Sequence, residues 1–246
     1  MWLLQTLLFS LLLTVVAAQA PPKNYGVVLF PAFQALDVFG PLDALNVLSF
    51  TRPLKLSIIA ATMDPVSTQA RSKGMQRFNS TFGQSVVPTH TFANSPADLE
   101  VLLVPGGVGT SAPDIGPVVQ YINQTYPKLK YIMSVCTGAK LLAKSGILDG
   151  RSATTNKKSW QSVVKEGPKV KWVPQARWVT DGNIWTSAGV SAGIDLMLAF
   201  LDAVYGTETG KMIADGMEYE RTLDWRDDPF AKKNNATRSL TQRGSW

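Results

Sequence analysis

The chain of 246 residues contains one cysteine and one histidine. A lone cysteine excludes an internal disulfide, so a domain of this size must be held by its hydrophobic core. No histidine follows Cys136, and His90 stands well before it. His90 lies in V-P-T-H-T and reads as an ordinary loop histidine; serving as a base for Cys136 is the other reading. The glycine-rich stretch 105–109 is followed by no Lys-Ser/Thr pair, and its spacing is not the dinucleotide fingerprint, so it is not a phosphate cradle. No internal repeat and no linker is visible. Lys and Arg number 24 against 18 Asp and Glu, for a net charge of +6. The excess is scattered and has no interleaved aromatic patch, which argues against a nucleic-acid partner. Only 232–243 gathers basic residues without an acid (Lys232, Lys233, Arg238 and Arg243). With Asn, Thr, Ser and Gly between them, 221–246 reads as a basic, mobile tail.

Charge is also missing from the first 20 residues, an apolar run ending Ala18-Gln19-Ala20. This reads as a secretory signal peptide over 1–20 with a small-x-small cleavage site, and a retained anchor is the alternative. The run is short for a stable span, so no lasting membrane insertion is expected after cleavage. Glycosylation acceptors at Asn79, Asn123 and Asn235 agree with a secreted or luminal protein. One domain over 21–220 is expected.

Continuous apolar runs of strand length over 25–30, 54–61, 99–104 and 130–135 alternate with helical patterns over 115–126, 138–145, 191–205 and 207–219. A loop is expected over 31–40, with Pro41 in the first turn of the next helix. A hairpin excursion is expected over 74–91, and short strands over 170–173, 178–180 and 184–187, the last two joined at Asp181-Gly182. Alternation of this kind implies a mostly parallel α/β sheet with ligands beyond the carboxyl ends of its strands.

Cys136 stands where a strand hands over to a helix, the geometry of a nucleophile elbow. A helix start directs N–H groups and a positive dipole end at the sulfur, which favours thiolate. A buried structural cysteine is the alternative. Thr137 reads as a helix-start residue whose hydroxyl lies beside the sulfur. The run P-G-G-x-G over 105–109 lets the N–H groups of Gly106 or Gly107, with that of Thr137, form an oxyanion-type pair. Asp37, flanked by Leu36, Val38 and Phe39, reads equally as a turn residue and as a desolvated acid suited to proton transfer. Asp195, in an apolar helix start, reads as a partner for backbone N–H groups or the helix dipole. The tryptophans, Trp160, Trp172, Trp178 and Trp185 among them, read as core or pocket wall.

Together the motifs F-P-x-F-x-x-L-D-V-F-G-P, V-P-G-G-x-G, S-V-C-T-G-A-x-L-L-A-x-S-G-I-L-D-G-R-x-A-T-T and D-G-N-I-W-T-S-A-G-V-S-A-G-I-D resemble the ThiJ/PfpI superfamily. Within it, the chain is similar to isonitrile hydratases and to the amidotransferase-like domains of AraC-type regulators. The resemblance runs over 25–219. It implies a flavodoxin-like three-layer α/β sandwich, usually dimeric, with Cys136 as nucleophile, Asp37 as its paired acid and Thr137 as a residue that matters for hydration. Many relatives carry A-T-T-H where this chain has Ala153-Thr154-Thr155-Asn156. A Cys-His-Glu glutaminase arrangement is therefore not expected, and the Cys-His elbow of the family's proteases is replaced by Cys136-Thr137. No helix-turn-helix segment follows, so a regulator is not expected either. The implied function is hydration of a small carbon–nitrogen multiple bond, an isonitrile giving an N-substituted formamide, with no metal and no cofactor. Glyoxalase-like conversion of 2-oxoaldehydes is one alternative. The other is a secreted oxidation sensor whose Cys136 becomes a sulfinic acid. A small-molecule substrate and a homodimer are the expected partners.

Overall fold

The computed structural model describes residues 20–70 and 78–236. The apolar runs become β1 (Asn24–Val28), β2 (Lys55–Ala60), β6 (Val101–Val104), β7 (Tyr131–Ser134) and β11 (Ile184–Ser187). They are completed by β5 (His90–Thr91) and β10 (Trp178–Asp181). Among the described residues these strands form one sheet in the order β10-β11-β7-β6-β1-β2-β5. Every neighbouring pair is parallel except β10 with β11. All four residues of β6 and all four of β11 are buried, as strands covered on both faces require.

Helices α1 (Ala35–Ser49), α5 (Ala192–Tyr205) and α6 (Thr207–Gly216) pack together as one outer layer. Helices α2 (Gly116–Thr125) and α3 (Gly138–Lys144) pack together, with α3 on β6 and β7 and against α4 (Trp160–Val164), as the other. The result is the expected flavodoxin-like three-layer sandwich. A single core cluster runs through it, with Leu102, Ile132, Met133, Leu141, Leu196 and Phe200 fully enclosed.

Three local expectations are corrected. Helix α1 begins at Ala35, so Asp37 lies in its first turn and Pro41 in its interior. Leu36 and Phe39 face outward, and their exposure broke the apolar periodicity that would have marked the helix start. In the excursion, β3 (Val66–Ser67) pairs antiparallel with β4 (Ser85–Val86), so the hairpin opens before 74. The rest of the expected hairpin, 71–77, lies outside the described residues. The strand expected over 170–173 is β9 (Lys171–Trp172), which pairs with β8 (Ser152–Ala153) outside the main sheet.

Residues 221–236 are not a free tail. They carry α7 (Pro229–Lys233), and Asp228 and Ala231 are buried against the domain. The signal-peptide run, except Ala20, and the remainder of the expected tail, 237–246, lie outside the described residues. Asn79, Asn123 and Asn235 are all exposed, but the Asn123 side-chain amide donates to the carbonyl of Ser145 at 2.8 Å.

Candidate active site

The chain leaves β1 toward β2 on one side while β6 lies on the other. The loops after β1 and β6 therefore flank the crevice where strand order reverses, and β7 ends beside them. This brings Asp37, Gly106, Gly107, Cys136 and Thr137 together.

Cys136 is held at φ +59°. A left-handed backbone at a residue bearing a side chain costs on the order of 1–3 kcal/mol and persists only when its surroundings fix it. Here the Val135 N–H donates to Val104, the Cys136 N–H to Ala188, and Thr155 Oγ1 to the Cys136 carbonyl at 2.8 Å. Gly138 closes the elbow through its N–H to Val135. Only glycine fits there, because a Cβ would meet the Val104 carbonyl oxygen at 2.3 Å.

The Asp37 carboxyl is fully buried and accepts from the Gly106 N–H at 2.8 Å through Oδ2. Its Oδ1 is buried without a hydrogen-bond partner of ordinary geometry among the described residues, and the Cys136 thiol lies against the same carboxyl. Burial pushes the Asp37 pKa up to about 7, despite the opposing effects of Gly106 and Cys136. Burial, reinforced by the Asp37 charge, pushes the Cys136 thiol up to about 12. The N–H of Thr137 and the side chains of Asn156 and Thr137 oppose this rise. The thiolate-favouring effect expected of the helix start is therefore present but outweighed by desolvation. Near neutral pH the sulfur keeps its proton while Asp37 titrates, and once Asp37 is ionised the pair holds one readily movable proton.

The glycine loop plays a different part from the expected oxyanion pair. The Gly106 N–H is taken by Asp37, and the Gly107 N–H by Thr137 Oγ1 at 2.9 Å. Thr137 returns its hydroxyl proton to the Gly107 carbonyl at 3.2 Å. These donors aim the acid and lock the threonine. Gly106 must be glycine, since a Cβ would lie 2.6 Å from both N and Oγ1 of Thr137 and 2.9 Å from Asp37 Oδ2.

Asn156 is the residue whose role sequence reasoning missed. Its Oδ1 accepts from the Ser159 N–H at 2.9 Å, which fixes which end of the amide faces the sulfur. Its side chain faces Cys136 and opposes the rise of the thiol pKa. A Cβ on Gly189 would meet Asn156 Nδ2 at 2.0 Å, so Gly189 gives the amide its room. The signal was the departure from A-T-T-H: the position opposite the cysteine holds a neutral donor instead of a base.

The other candidates stand elsewhere. His90 sits on β5 at the opposite sheet edge, with β2, β1 and β6 between it and β7, and its ring bonds Thr89 Oγ1. Asp195 accepts from Arg177 at 2.6 Å, from the Thr222 N–H at 2.9 Å and from Tyr219, a structural cluster. Trp160, Trp172, Trp178 and Trp185 are all in the core. A cavity of about 330 Å³ adjoins the site through Asn156 and Leu36 and is otherwise lined by the 188–191 loop, Lys157, Lys158 and residues of α7 and its two caps. A second, of about 310 Å³, is lined by Phe30, Thr62, Phe92 and Ile115 and touches neither Asp37, Cys136 nor Asn156.

A profile of the DJ-1/PfpI family matches residues 24–203. The chain is 31% identical over 201 residues to the isonitrile hydratase of Pseudomonas putida, covering 79% of this chain and 77% of that protein. It is 24% identical to the HTH-type transcriptional regulator GbdR of Pseudomonas aeruginosa, over 87% of this chain but only 57% of the regulator. Among solved structures, a THiJ/PfpI family protein from Pseudomonas syringae superposes with a TM-score of 0.69 at 26% identity, covering 88% of this chain and 90% of that one.

Proposed function

The chain belongs to the DJ-1/PfpI family, and from that premise we propose that it hydrates a small carbon–nitrogen multiple bond, converting an isonitrile to an N-substituted formamide. The observation that carries the reading is the pairing of a buried thiol on a strained elbow with an acid of raised pKa, flanked by an amide in place of an imidazole. The similarity to an isonitrile hydratase supports it.

The thiol proton of Cys136 passes to the Asp37 carboxylate as sulfur bonds to the terminal carbon of the isonitrile. Asp37 then returns that proton to the same carbon, leaving a thioformimidate, S–CH=N–R. Water adds across the C=N bond, its hydroxyl to carbon and its proton to nitrogen. Breaking the C–S bond sends the hydroxyl proton back to sulfur through Asp37 and releases the formamide. Asn156 supports the negative charge that develops on sulfur in both directions, because a donor already aimed needs no reorganisation. Thr137, tied to Gly107, keeps its N–H on the sulfur.

The test is to incubate residues 21–246 with a panel of alkyl and aryl isonitriles and follow formamide. Equal inactivity of wild type and Cys136→Ala across the panel overturns the reading. The unpartnered Oδ1 of Asp37 beside the sulfur favours one second reading, oxidation of Cys136 to a sulfinic acid held by that carboxyl. Intact-mass analysis after mild peroxide, with Asp37→Ala for comparison, tests it. We further propose that the protein is a secreted, glycosylated homodimer. N-terminal sequencing of exported protein, expected to start at Pro21, checks the first point. Glycosidase mass shifts and light scattering check the others.

A further inference from the structure

Beside the reacting groups lies a segment that composition marks as a tail but the fold uses as a wall. Pro229 opens α7 and Asp228 caps it, accepting from the Phe230 N–H at 2.9 Å. Three contacts pin the segment to the domain. The Arg177 N–H donates to the Trp225 carbonyl at 2.6 Å, and Gln175 Nε2 donates to the carbonyls of Arg226 and Asp228. The buried Asp228 carboxylate also stands 3.5 Å from the buried ammonium of Lys157, the residue after Asn156.

The segment thereby helps to line the cavity of about 330 Å³ that is also lined by Leu36, the neighbour of Asp37 in the chain, and by Asn156, which faces Cys136. We propose that this cavity is the substrate subsite and that α7 is its specificity wall, admitting an uncharged, largely apolar substituent and selecting it by size. The proposal rests on the hydration reading above for the reacting end of the substrate, and adds the class of group attached to it.

The chemistry of the walls supports this class. Leu36 is 42% exposed and Phe230 45% exposed, so two large apolar side chains bordering the cavity are left for a ligand to cover. Lys157 offers nothing to an anionic substituent, because its ammonium is held by Thr154 Oγ1, the Ala176 carbonyl and Asp228. Asp228 caps α7 through Oδ1, and its Oδ2, which has no hydrogen-bond partner among the described residues, faces the Lys157 ammonium at 3.5 Å. A charged group entering here loses its hydration, and the one lining charge outside the Lys157–Asp228 pair is Lys158, which is exposed and already solvated. The volume equals roughly ten water molecules, ample for a ring such as cyclohexyl.

The experiment compares wild type with Phe230→Ala, a partly exposed position whose truncation leaves the core intact. Two readouts are taken. One is kcat/KM for cyclohexyl isonitrile relative to methyl isonitrile. The other is calorimetric binding of N-cyclohexylformamide and of cyclohexanecarboxylate to Cys136→Ala protein, with and without Phe230→Ala. The expected result is that Phe230→Ala lowers the cyclohexyl-to-methyl ratio about tenfold and weakens N-cyclohexylformamide binding by a similar factor, while the carboxylate binds neither protein. Unchanged binding and an unchanged ratio overturn the proposal, as does carboxylate binding as tight as the formamide or no saturable binding of the formamide at millimolar concentration. If no isonitrile is hydrated yet formamide binding still depends on Phe230, the hydration reading fails and the subsite stands. Turnover insensitive to Phe230 in every substrate has the opposite meaning.

Discussion

Replacing Asp37 by asparagine should stabilise the protein at alkaline pH relative to acid pH while abolishing its chemistry. The carboxyl is fully buried, and its pKa rises from 3.8 to about 7. A raised folded-state pKa means that the native chain binds this proton more tightly than the unfolded chain. The contribution of the group to stability is therefore greatest at low pH, declines as pH climbs from about 4 to about 7, and is constant above. A shift of about three units corresponds to roughly 4 kcal/mol, most of which accrues between pH 5 and pH 8. Cys136, raised to about 12, stays protonated across this range and does not disturb the balance. Asparagine can still accept from the Gly106 N–H, but its amino group would occupy the place of the unpartnered Oδ1. That mismatch costs about 1–3 kcal/mol, independent of pH. The diagnostic quantity is thus the change with pH and not the absolute difference. Urea or thermal melts of both proteins at pH 5, 6, 7 and 8 should show Asp37→Asn gaining about 2–3 kcal/mol on wild type between pH 5 and pH 8. In thermal terms that is roughly 5–10 °C in Tm for a chain of this size. A stability difference that stays flat with pH, or one in which Asp37→Asn loses ground on wild type as pH rises, would refute the claim that Asp37 is a desolvated acid held near neutrality.

The same titration sets the activity. The form that reacts has one proton shared between Asp37 and Cys136, so kcat/KM for isonitrile hydration should rise with pH through about 7 and then level off. Asp37→Asn should lose that limb and at least about a hundredfold in rate; a wild-type rate that falls through pH 7 would make Asp37 a simple acid instead. Gly106→Ala drives a methyl into Thr137 and the Asp37 carboxylate, and should cost about 1–3 kcal/mol of stability together with most activity. Gly116→Ala, where a Cβ meets nothing within 4 Å, is the matched control and should melt like wild type. Asn156→Asp places a negative charge beside the sulfur where the amide now favours the thiolate, and should slow iodoacetamide alkylation of Cys136 by about tenfold or more. Faster alkylation than wild type would show that Asn156 shields the sulfur and does not support its charge.

Much of the architecture was legible because it depends on local, one-dimensional signals. Buried parallel strands need unbroken apolar runs, and the runs before Pro105 and Cys136 have that form. The elbow was legible for the same reason, since a strand followed by Cys136-Thr137-Gly138 leaves few alternatives for the turn. What failed depended on groups meeting from distant parts of the chain. The Gly106 and Gly107 N–H groups were expected to be free, but no local pattern reveals that Asp37 and Thr137 take them. The helix start beside Cys136 favours a thiolate, yet desolvation by the surrounding core is larger and is a property of the folded whole. Asp228 sits in a stretch of charged and polar residues that resembles a solvated terminus. Its burial becomes intelligible only once Lys157 is seen against it.

The replacement of a histidine by Asn156 limits the chemistry more than the cysteine itself does. Hydrolysis of an amide requires a proton to be delivered to a departing nitrogen while the thiol proton is stored elsewhere, and an imidazole performs both tasks near neutral pH. A carboxamide performs neither, because it does not take up a proton in this range. With its Oδ1 taken by the Ser159 N–H, what it offers the sulfur is its amide donor. Addition of a thiol and then of water to a carbon–nitrogen multiple bond expels no amine. The leaving group in its last step is Cys136 itself, whose proton Asp37 can hold and return. One movable proton and one fixed donor are sufficient for that sequence and insufficient for amide cleavage. Restoring a base with Asn156→His should therefore bring measurable release of ammonia from simple amides where wild type gives none, and a folded variant that still releases none would show that the missing base is not what limits the chemistry.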